Sequence, residues 1–437
     1  MRQPTKKTTP LAAALCAVAL AALLVLSWLA WRGRLGLPAL ALLAVLLASY
    51  AFGRRGLAGP MRTRTDSVAK GLFTVAGFMA LLRHPISVEG APPAPVYEAI
   101  AAYVGQVEPG PFILFGVLAM LIKAVGVVSS AYTWHLLLVG QGIRYPFWSM
   151  IMTSFLIGRF IGTFLPSTIG LDGYTLYEAA RYSNQWARCV TAKLLEKIIG
   201  TTGLFLGMVL TMPFGYQVIH DVTEKVGRPG AGPLLAGLIV LVAGGISLAV
   251  IVGLVWPVLL VRVVELFGAL MPGGVRQYVN RFAAASGAYR GQGRLLFLCL
   301  FSKFVTHFTT AVVYYFTALA IGVVGAAFWP IVFGSTIQIL ATVLSPTIAG
   351  EGAREAFQAL LLSKQLGGVA QAVLSAALGF IAAEAATLWG GLFMWTRTPH
   401  WRPSFTHVDG KQVDYSWIDD DEDGGAWRKV AVPAGDA

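Results

Sequence analysis

Nine long apolar runs constrain the fold of this chain more than any other feature. Their lengths approach or exceed the roughly 20 apolar residues that a transmembrane helix needs. Only 12% of the 437 residues are charged, about half the share found in a soluble domain. Because lipid cannot satisfy open backbone groups, such runs predict helices. The predicted spans are Leu11–Trp31, Leu37–Phe52, Phe112–Val139, Phe147–Leu165, Ala187–Met212, Pro233–Val261, Leu295–Val324, Phe328–Leu344 and Val369–Trp395.

These runs predict an all-α polytopic membrane protein with about 8–10 transmembrane helices. Residues 1–53 would form a two-helix hairpin, and residues 54–110 a linker with a short interfacial segment. The main membrane domain would cover residues 111–396, with repeat halves at about 111–212 and 233–396. The remainder, residues 397–437, contains the run DDDED and is predicted to be an acidic, disordered cytoplasmic tail.

Basic residues set the predicted orientation. The formal net charge is +12, and Lys and Arg are frequent after the second run, in the connector Val263–Gln292 and after the last run. This bias predicts a multi-pass membrane protein with a cytoplasmic C-terminus. The scattered basic residues argue against nucleic-acid binding. The three cysteines lie inside apolar runs and have neither metal-ligand nor disulfide spacing.

Two helix-breaking segments resemble each other. LPSTIGLDGYTLYEA occupies residues 165–179, and LSPTIAGEGAREA occupies residues 344–356. Two breaks at corresponding positions of two halves indicate the midplane binding site of a transporter. The alternative is a chance match of two loops rich in proline and glycine. The matched positions are Pro166 with Pro346, Gly170 with Gly350, Asp172 with Glu351 and Gly173 with Gly352.

The stretch AYTWHLLLVGQGIRYPFWSMIMTSFLIGRFIGTFLPSTIGLDGYTLYEAAR, residues 131–181, resembles the lysylphosphatidylglycerol synthase transmembrane region, also called the flippase-like integral membrane family. The resemblance covers about residues 110–396 and includes both breaks. The family has Gly-Gly-Asp where this chain has Gly170-Leu171-Asp172, and an Arg soon afterwards where Tyr174-Thr175 stand here.

The resemblance implies a membrane module that handles lipids. In some members this module is fused to a soluble aminoacyltransferase domain that attaches an amino acid to phosphatidylglycerol. The 41 residues after Thr396 are too few for such a domain. We therefore expect that this chain is not an aminoacyl-lipid synthase.

Charged side chains inside the runs are candidate substrate ligands, because a buried charge is costly in a bilayer unless it is paired or hydrated. Lys193, Glu196 and Lys197 fall on one helix face, and their net positive charge suits a phosphate. The alternative is the snorkelling end of a span. Lys303 and His307, four residues apart, predict the lining of a polar cavity or else an interfacial anchor.

The breaks and the helix before the first one carry further candidates. Arg159 is predicted to bind a headgroup phosphate, because a guanidinium makes bidentate phosphate contacts. Asp172 and Glu351 lie at the breaks, and Arg354 and Glu355 follow the second one. These side chains could hold a lipid headgroup or could cap the helices that follow.

Two more charges lie in the middle of predicted spans. Lys123 resembles Lys303 in its apolar surroundings. Glu384 is a lone acid, for which a proton relay and a structural ion pair are both open interpretations.

Together these features predict a flippase or transporter that moves a phospholipid or a lipid-linked substrate, with membrane lipids, above all anionic phospholipid, as partners. A membrane-embedded transferase that uses Asp172 or Glu351 as a base is the alternative. A third possibility is a scaffold whose acidic tail recruits a soluble partner. The sequence has no zinc-protease helix, nucleophile elbow or P-loop motif, so we expect no cofactor, no metal and no catalytic residue.

Overall fold

The structure is a computed structural model of the full chain, and it is described here for residues 8–32, 37–88, 91–164, 169–267, 271–345, 347, 350–398 and 400–415. Helices dominate, and three short π- or 3-10-helical turns lie at Phe147–Met152, Pro229–Ala231 and Val240–Gly244. The α-helices are α1 (Pro10–Trp31), α2 (Leu37–Arg55), α3 (Gly59–Arg83), α4 (Val96–Val104), α5 (Pro109–Gly140), α6 (Thr153–Phe164), α7 (Ile169–Ser183), α8 (Trp186–Lys225), α9 (Gly232–Ile239), α10 (Gly245–Val255), α11 (Pro257–Phe267), α12 (Gly273–Gly287), α13 (Gly293–Ala320), α14 (Phe328–Leu344), α15 (Ala353–Leu362), α16 (Val369–Ala385) and α17 (Trp389–Thr396).

Seven helical stretches among the described residues are long and apolar enough to cross a membrane, and α14 is a shorter apolar helix. The prediction of an all-α polytopic membrane protein is therefore confirmed. A π-helical turn ends at Gly244, between α9 and α10. The predicted span Ala187–Met212 is too short, because α8 continues through Pro213 to Lys225.

The region between the second and third predicted spans differs from the predicted linker. Its apolar piece, Gly71–Leu82, is the second half of α3, a 25-residue helix that starts at Gly59. Pro60 lies in the first turn, where its missing N–H is not needed. A two-stranded antiparallel sheet of β1 (Pro85–Val88) and β2 (Ala91–Pro95) then leads into α4.

Helices α1, α2 and α3 pack on one another as an N-terminal group. Arg54 of α2 donates to Asp66 of α3 through Nε at 2.9 Å and Nη2 at 2.8 Å. The centre of the main domain is the antiparallel pair α5 and α13, with α8 packed against both. Fully buried side chains such as Trp134, Leu137 and Ile199 fill this centre.

Contacts at the two ends of α8 show how the bundle is arranged. At its start, Arg188 donates to the Gln141 carbonyl at the end of α5 (3.2 Å). The last turn of α5 also accepts a hydrogen bond at the Leu137 carbonyl from Tyr289, which follows α12 (2.7 Å). At the other end of α8, Lys225 donates to Ser363 just after α15 (2.7 Å). The hairpin α6–α7 begins and ends beside the start of α8, whereas α14–α15 ends beside its far end. The two helix hairpins therefore enter the bundle from opposite ends.

The segment after α17 is folded over residues 400–415, so the prediction of a disordered tail from residue 397 is wrong there. Strand β3 (Ile143–Arg144) pairs antiparallel with β4 (His407–Val408), which pairs with β5 (Lys411–Gln412). The reason is contacts with residues distant in sequence that the composition of the tail does not reveal, including the Arg188–Asp409 ion pair at 2.7 Å. The run DDDED lies outside the described residues.

Candidate functional site

A buried group of three charges, the central triad, joins α8 to α13. Glu196 accepts from Lys193 on its own helix at 2.6 Å and from Lys303 of α13 at 2.8 Å. These three residues are between 5% and 7% exposed. Two cations on one acid leave a formal charge of +1 inside the bundle. Because an unbalanced charge is costly in a bilayer, this arrangement suits an anionic ligand.

The neighbours of the central triad hold its lysines in place. Lys193 also donates to Thr175 of α7 at 2.9 Å, and its Nζ lies 3.8 Å from the ring centroid of Trp134. Lys303 donates to Ser130 of α5 at 2.8 Å. A Cβ at Gly203 would lie 2.8 Å from the Lys303 backbone, so only glycine allows α8 and α13 to approach this closely. Four helices therefore position the triad.

The sequence left open whether Lys193, Glu196 and Lys197 form a site or a snorkelling helix end. Lys193 and Glu196 are buried, which is incompatible with snorkelling. The Lys197 side chain is 48% exposed, and it forms an ion pair with Asp172 in the first turn of α7. Asp172 and Lys197 thus flank the triad at the start of the second helix of the α6–α7 hairpin.

Arg159, Lys123 and His307 lie around the same helices. Arg159 Nη2 is 3.6 Å from Glu384 Oε1 of α16, and Thr163 donates to the same carboxylate at 2.5 Å. Lys123 of α5 is 8% exposed and donates to Thr310 of α13 at 3.1 Å. His307 lies on α13 one turn beyond Lys303, beside Gly200 of α8. The structural interpretation of Glu384 as an ion-pair partner agrees with this geometry.

The second break presents a separate polar group. Arg354 donates to Glu355 through Nη2 at 2.9 Å, and Glu355 accepts from the backbone N–H of Gly352 at 2.8 Å. Both side chains are buried. No hydrogen bond or ion pair joins them to the central triad within the part of the chain that the structure describes. The predicted residues therefore fall into separate groups, and Glu355 acts as a cap.

Glu351 lies at the mouth of a groove of about 640 Å³ between α3 and the α14–α15 hairpin. Among the described residues its carboxylate has no ion-pair partner within 4 Å. The groove is mostly apolar, and Phe73 of α3 and Leu340 of α14 form part of its walls. An acid beside an apolar groove could receive the polar end of an amphiphile.

The predicted break glycines play different roles. Gly350 and Gly352 have φ of 74° and 78°, so they form a true break in the left-handed region. Gly170 and Gly173 lie inside α7, and the prediction that they break the helix is wrong. Gly170 instead allows close packing, because its Cβ would lie 2.5 Å from Gly162 Cα. Pro166 and Pro346 lie outside the described residues.

Sequence reasoning missed Glu178, although it stands in the first break motif. This buried carboxylate of α7 accepts hydrogen bonds from Ser154, Tyr174 and Arg397. The Arg397 guanidinium lies 3.7 Å from the ring centroid of Trp401 in the folded tail. The available signal was that Glu178 is a second acid in the same segment as Asp172, LPSTIGLDGYTLYEA.

Two glutamines were also missed. Gln338 of α14 and Gln358 of α15 are fully buried, and within the described part of the chain Gln338 Oε1 and both amide atoms of Gln358 have no hydrogen-bond partner. Their hairpin is packed closely, since a Cβ at Gly334 would lie 2.6 Å from Leu362. A glutamine inside the apolar run Phe328–Leu344 was the signal that could have identified the first of them.

A fourth polar group lies at the far end of α8. His220, Asp221 and Glu224 place potential metal-ligand atoms within 4.8 Å of one another. Lys364 already contacts Asp221 at 2.7 Å, and this hydrogen bond raises the pKa of Lys364. The group therefore fits an end cap that fastens α8 to the segment after α15.

Comparison with known proteins agrees with the fold and the motifs. The profile of the lysylphosphatidylglycerol synthase TM region matches residues 68–390. The match starts within α3, so the family domain begins before the predicted boundary at residue 111. No curated protein and no solved structure matches the chain significantly. The matched region covers both hairpins and the central triad, and the chain belongs to the lysylphosphatidylglycerol synthase TM region family.

Proposed function

We propose that the protein is a flippase or transporter that moves a phospholipid or a lipid-linked substrate across the bacterial inner membrane. The observation that carries this proposal is the central triad, whose two lysines share one acid inside the bundle. A phosphate there would balance the excess cation and would accept hydrogen bonds from both ammonium groups. The family assignment supports a role in lipid-related processes.

The two hairpins supply an arrangement suited to transport. They enter from opposite ends of the bundle, and the second one has a break at Gly350 and Gly352. We interpret them as re-entrant elements whose tips face a polar interior, as in transporters built from two inverted halves. The basic helix α12, with Arg276 and Arg281, and the folded tail would then face the cytoplasm.

Transport can be tested in proteoliposomes that contain fluorescent phospholipids with different headgroups. Lys303→Met is the informative variant, because it leaves Lys193 and Glu196 as a balanced pair. We expect it to slow lipid movement at least about tenfold, since one partner of a buried hydrogen-bonded charge group is lost. Lys364→Met, at the far end of α8, is the matched control and should transport normally. Lipid movement no faster than in empty vesicles, for every headgroup, would overturn the proposal.

A membrane-embedded transferase remains the second candidate, and the observation that favours it is Glu351 beside the apolar groove. A carboxylate without an ion-pair partner could act as a base towards a lipid-linked substrate. Mass spectrometry of lipids from membranes with and without the protein separates the two functions. A new covalent lipid species that disappears in Glu351→Gln would establish the transferase. A changed leaflet distribution with unchanged lipid species would exclude it.

A further inference from the structure

Lys123, Arg159 and Glu384 form a second cationic group on the other side of the first hairpin. Arg159 and Glu384 are 3.6 Å apart, and Lys123 lies within electrostatic range of both. Lys123 and Arg159 together carry two positive charges against one carboxylate. The group therefore repeats the composition of the central triad, with a formal charge of +1.

The two groups are connected along the central helix pair. Lys303 of α13 contacts Ser130 of α5, and Thr310 of α13 contacts Lys123 of α5. The two contacts are separated by seven residues on both helices. Seven residues are two helical turns, so the groups lie on nearly the same face and about 10 Å apart along the axis. His307 lies between them on α13.

Two side chains of the second cationic group, Arg159 and Lys123, can donate further hydrogen bonds. The Nε of Arg159 is buried, and no described residue forms a hydrogen bond with it. Among the described residues Lys123 donates one hydrogen bond, to the hydroxyl of Thr310, and an ammonium can donate three. An oxyanion could accept hydrogen bonds from both side chains. Phosphate groups commonly bind arginine through two parallel hydrogen bonds.

We propose that Lys123 and Arg159 form a second binding site for a phosphate-type oxyanion, about two helical turns beyond the central triad, and that the anion passes from one site to the other. This inference rests on the proposed transport function for its second part. The site itself does not depend on transport. The 10 Å spacing is too long for one phosphate to reach both sites, so they are successive positions on a path.

Binding can be measured without transport. The protein in detergent is titrated with dioctanoyl phosphatidylglycerol, and the bound lipids are counted by native mass spectrometry. The wild type should reach two bound lipids. Lys123→Met leaves Arg159 and Glu384 balanced, and Lys303→Met leaves Lys193 and Glu196 balanced, so each variant should fold and should bind one. Lys364→Met should bind two. Two lipids on Lys123→Met, or one on the wild type, would overturn the second site.

Neutralising Glu384 separates a binding role of this group from a structural one. Glu384→Gln removes the acid beside the proposed anion, so lipid should bind about tenfold more tightly at this site because repulsion is lost. A purely structural ion pair would instead give weaker binding and a lower melting temperature. Competition by inorganic phosphate would identify a free anion as the ligand, and its absence would identify the lipid headgroup.

The binding and transport results can fail independently. Two bound lipids without lipid movement would leave the site standing and would overturn the flippase proposal. Lipid movement that Lys123→Met leaves at the wild-type rate would overturn the path between the sites. We expect Lys123→Met to slow movement about tenfold, since one of the two anion positions is lost.

Discussion

The two helix hairpins share a sequence motif but are fastened in different ways. Two ion pairs and a hydrogen bond to a lysine join the first hairpin, α6–α7, to other helices. They are Asp172–Lys197, Arg159–Glu384 and Thr175–Lys193. The second hairpin, α14–α15, keeps its main ion pair within α15, between Arg354 and Glu355. The shared motif therefore specifies a break in the chain, whereas the surrounding helices determine which contacts each break makes.

The largest effect should come from the central triad, through which the first hairpin is fastened. Glu196→Gln leaves Lys193 and Lys303 buried without a counter-charge, which should lower the free energy of unfolding by about 3–5 kcal/mol. The measurement is the thermal unfolding of the protein in detergent. Glu224→Gln, which removes a partly exposed acid at the far end of α8, is the control. Equal stability of the two variants would show that the triad is hydrated.

The next effect concerns the tail, whose Arg397 forms an ion pair with Glu178 of the first hairpin. Glu178→Gln leaves the Arg397 guanidinium without its carboxylate and should cost about 3 kcal/mol. We expect trypsin to cut after Arg397 much faster than in the wild type, whereas Arg402 precedes Pro403 and is not a trypsin site. Glu355→Gln in the second hairpin should leave this cleavage unchanged. Faster cleavage in both variants would mean that the hairpins are not independently fastened.

A smaller effect should distinguish two glycines of α7. Gly170→Ala forces a Cβ against Gly162 and should destabilise the protein by about 1–3 kcal/mol. Gly173 has open space around it, so Gly173→Ala should be neutral or stabilising by up to about 1 kcal/mol. Melting temperatures of the two variants provide the measurement. If Gly173→Ala were the more harmful one, α7 would not be a continuous helix from Ile169.

The smallest effect on stability should come from the matched acids at the breaks. The Lys197 side chain is half-exposed, so Asp172→Asn should change the free energy of unfolding by less than about 1 kcal/mol. Glu351→Gln removes no ion pair among the described residues and should be neutral. Both variants should nevertheless slow lipid movement in proteoliposomes. Unchanged transport in both would place the site away from the breaks.

Much of the membrane fold was predictable because apolar runs and helix breaks are local properties of a chain. The run Phe328–Leu344 matches α14 at both ends, and Leu37 starts α2 as predicted. Helix α3 was missed because its first half is polar, whereas the predicted spans were identified from apolar runs. The folded segment at residues 400–415 was missed because its partners, Arg144 and Arg188, are more than 200 residues away in sequence.

The residue types of the candidate site were predictable from the sequence. Which of these residues contact one another was less predictable. A charge inside an apolar run is conspicuous, which identified Lys193, Glu196, Lys303 and Arg159. Their partners could not be read in the same way, because a hydrogen bond between α8 and α13 joins residues 107 positions apart. Glu178 illustrates the limit, since its importance depends on Arg397, which lies 219 residues later.

Local features of the sequence predicted a helical membrane protein with more cations than acids and with two similar segments that contain proline and glycine. These properties depend on the length of apolar runs, on proline and glycine, and on charge, all of which act locally. Only the tertiary structure decided which cations share an acid and that the hairpins enter from opposite ends. It also separated Arg354 and Glu355 from the central triad. Such pairings arise from helix packing over long sequence separations, and no local pattern encodes them.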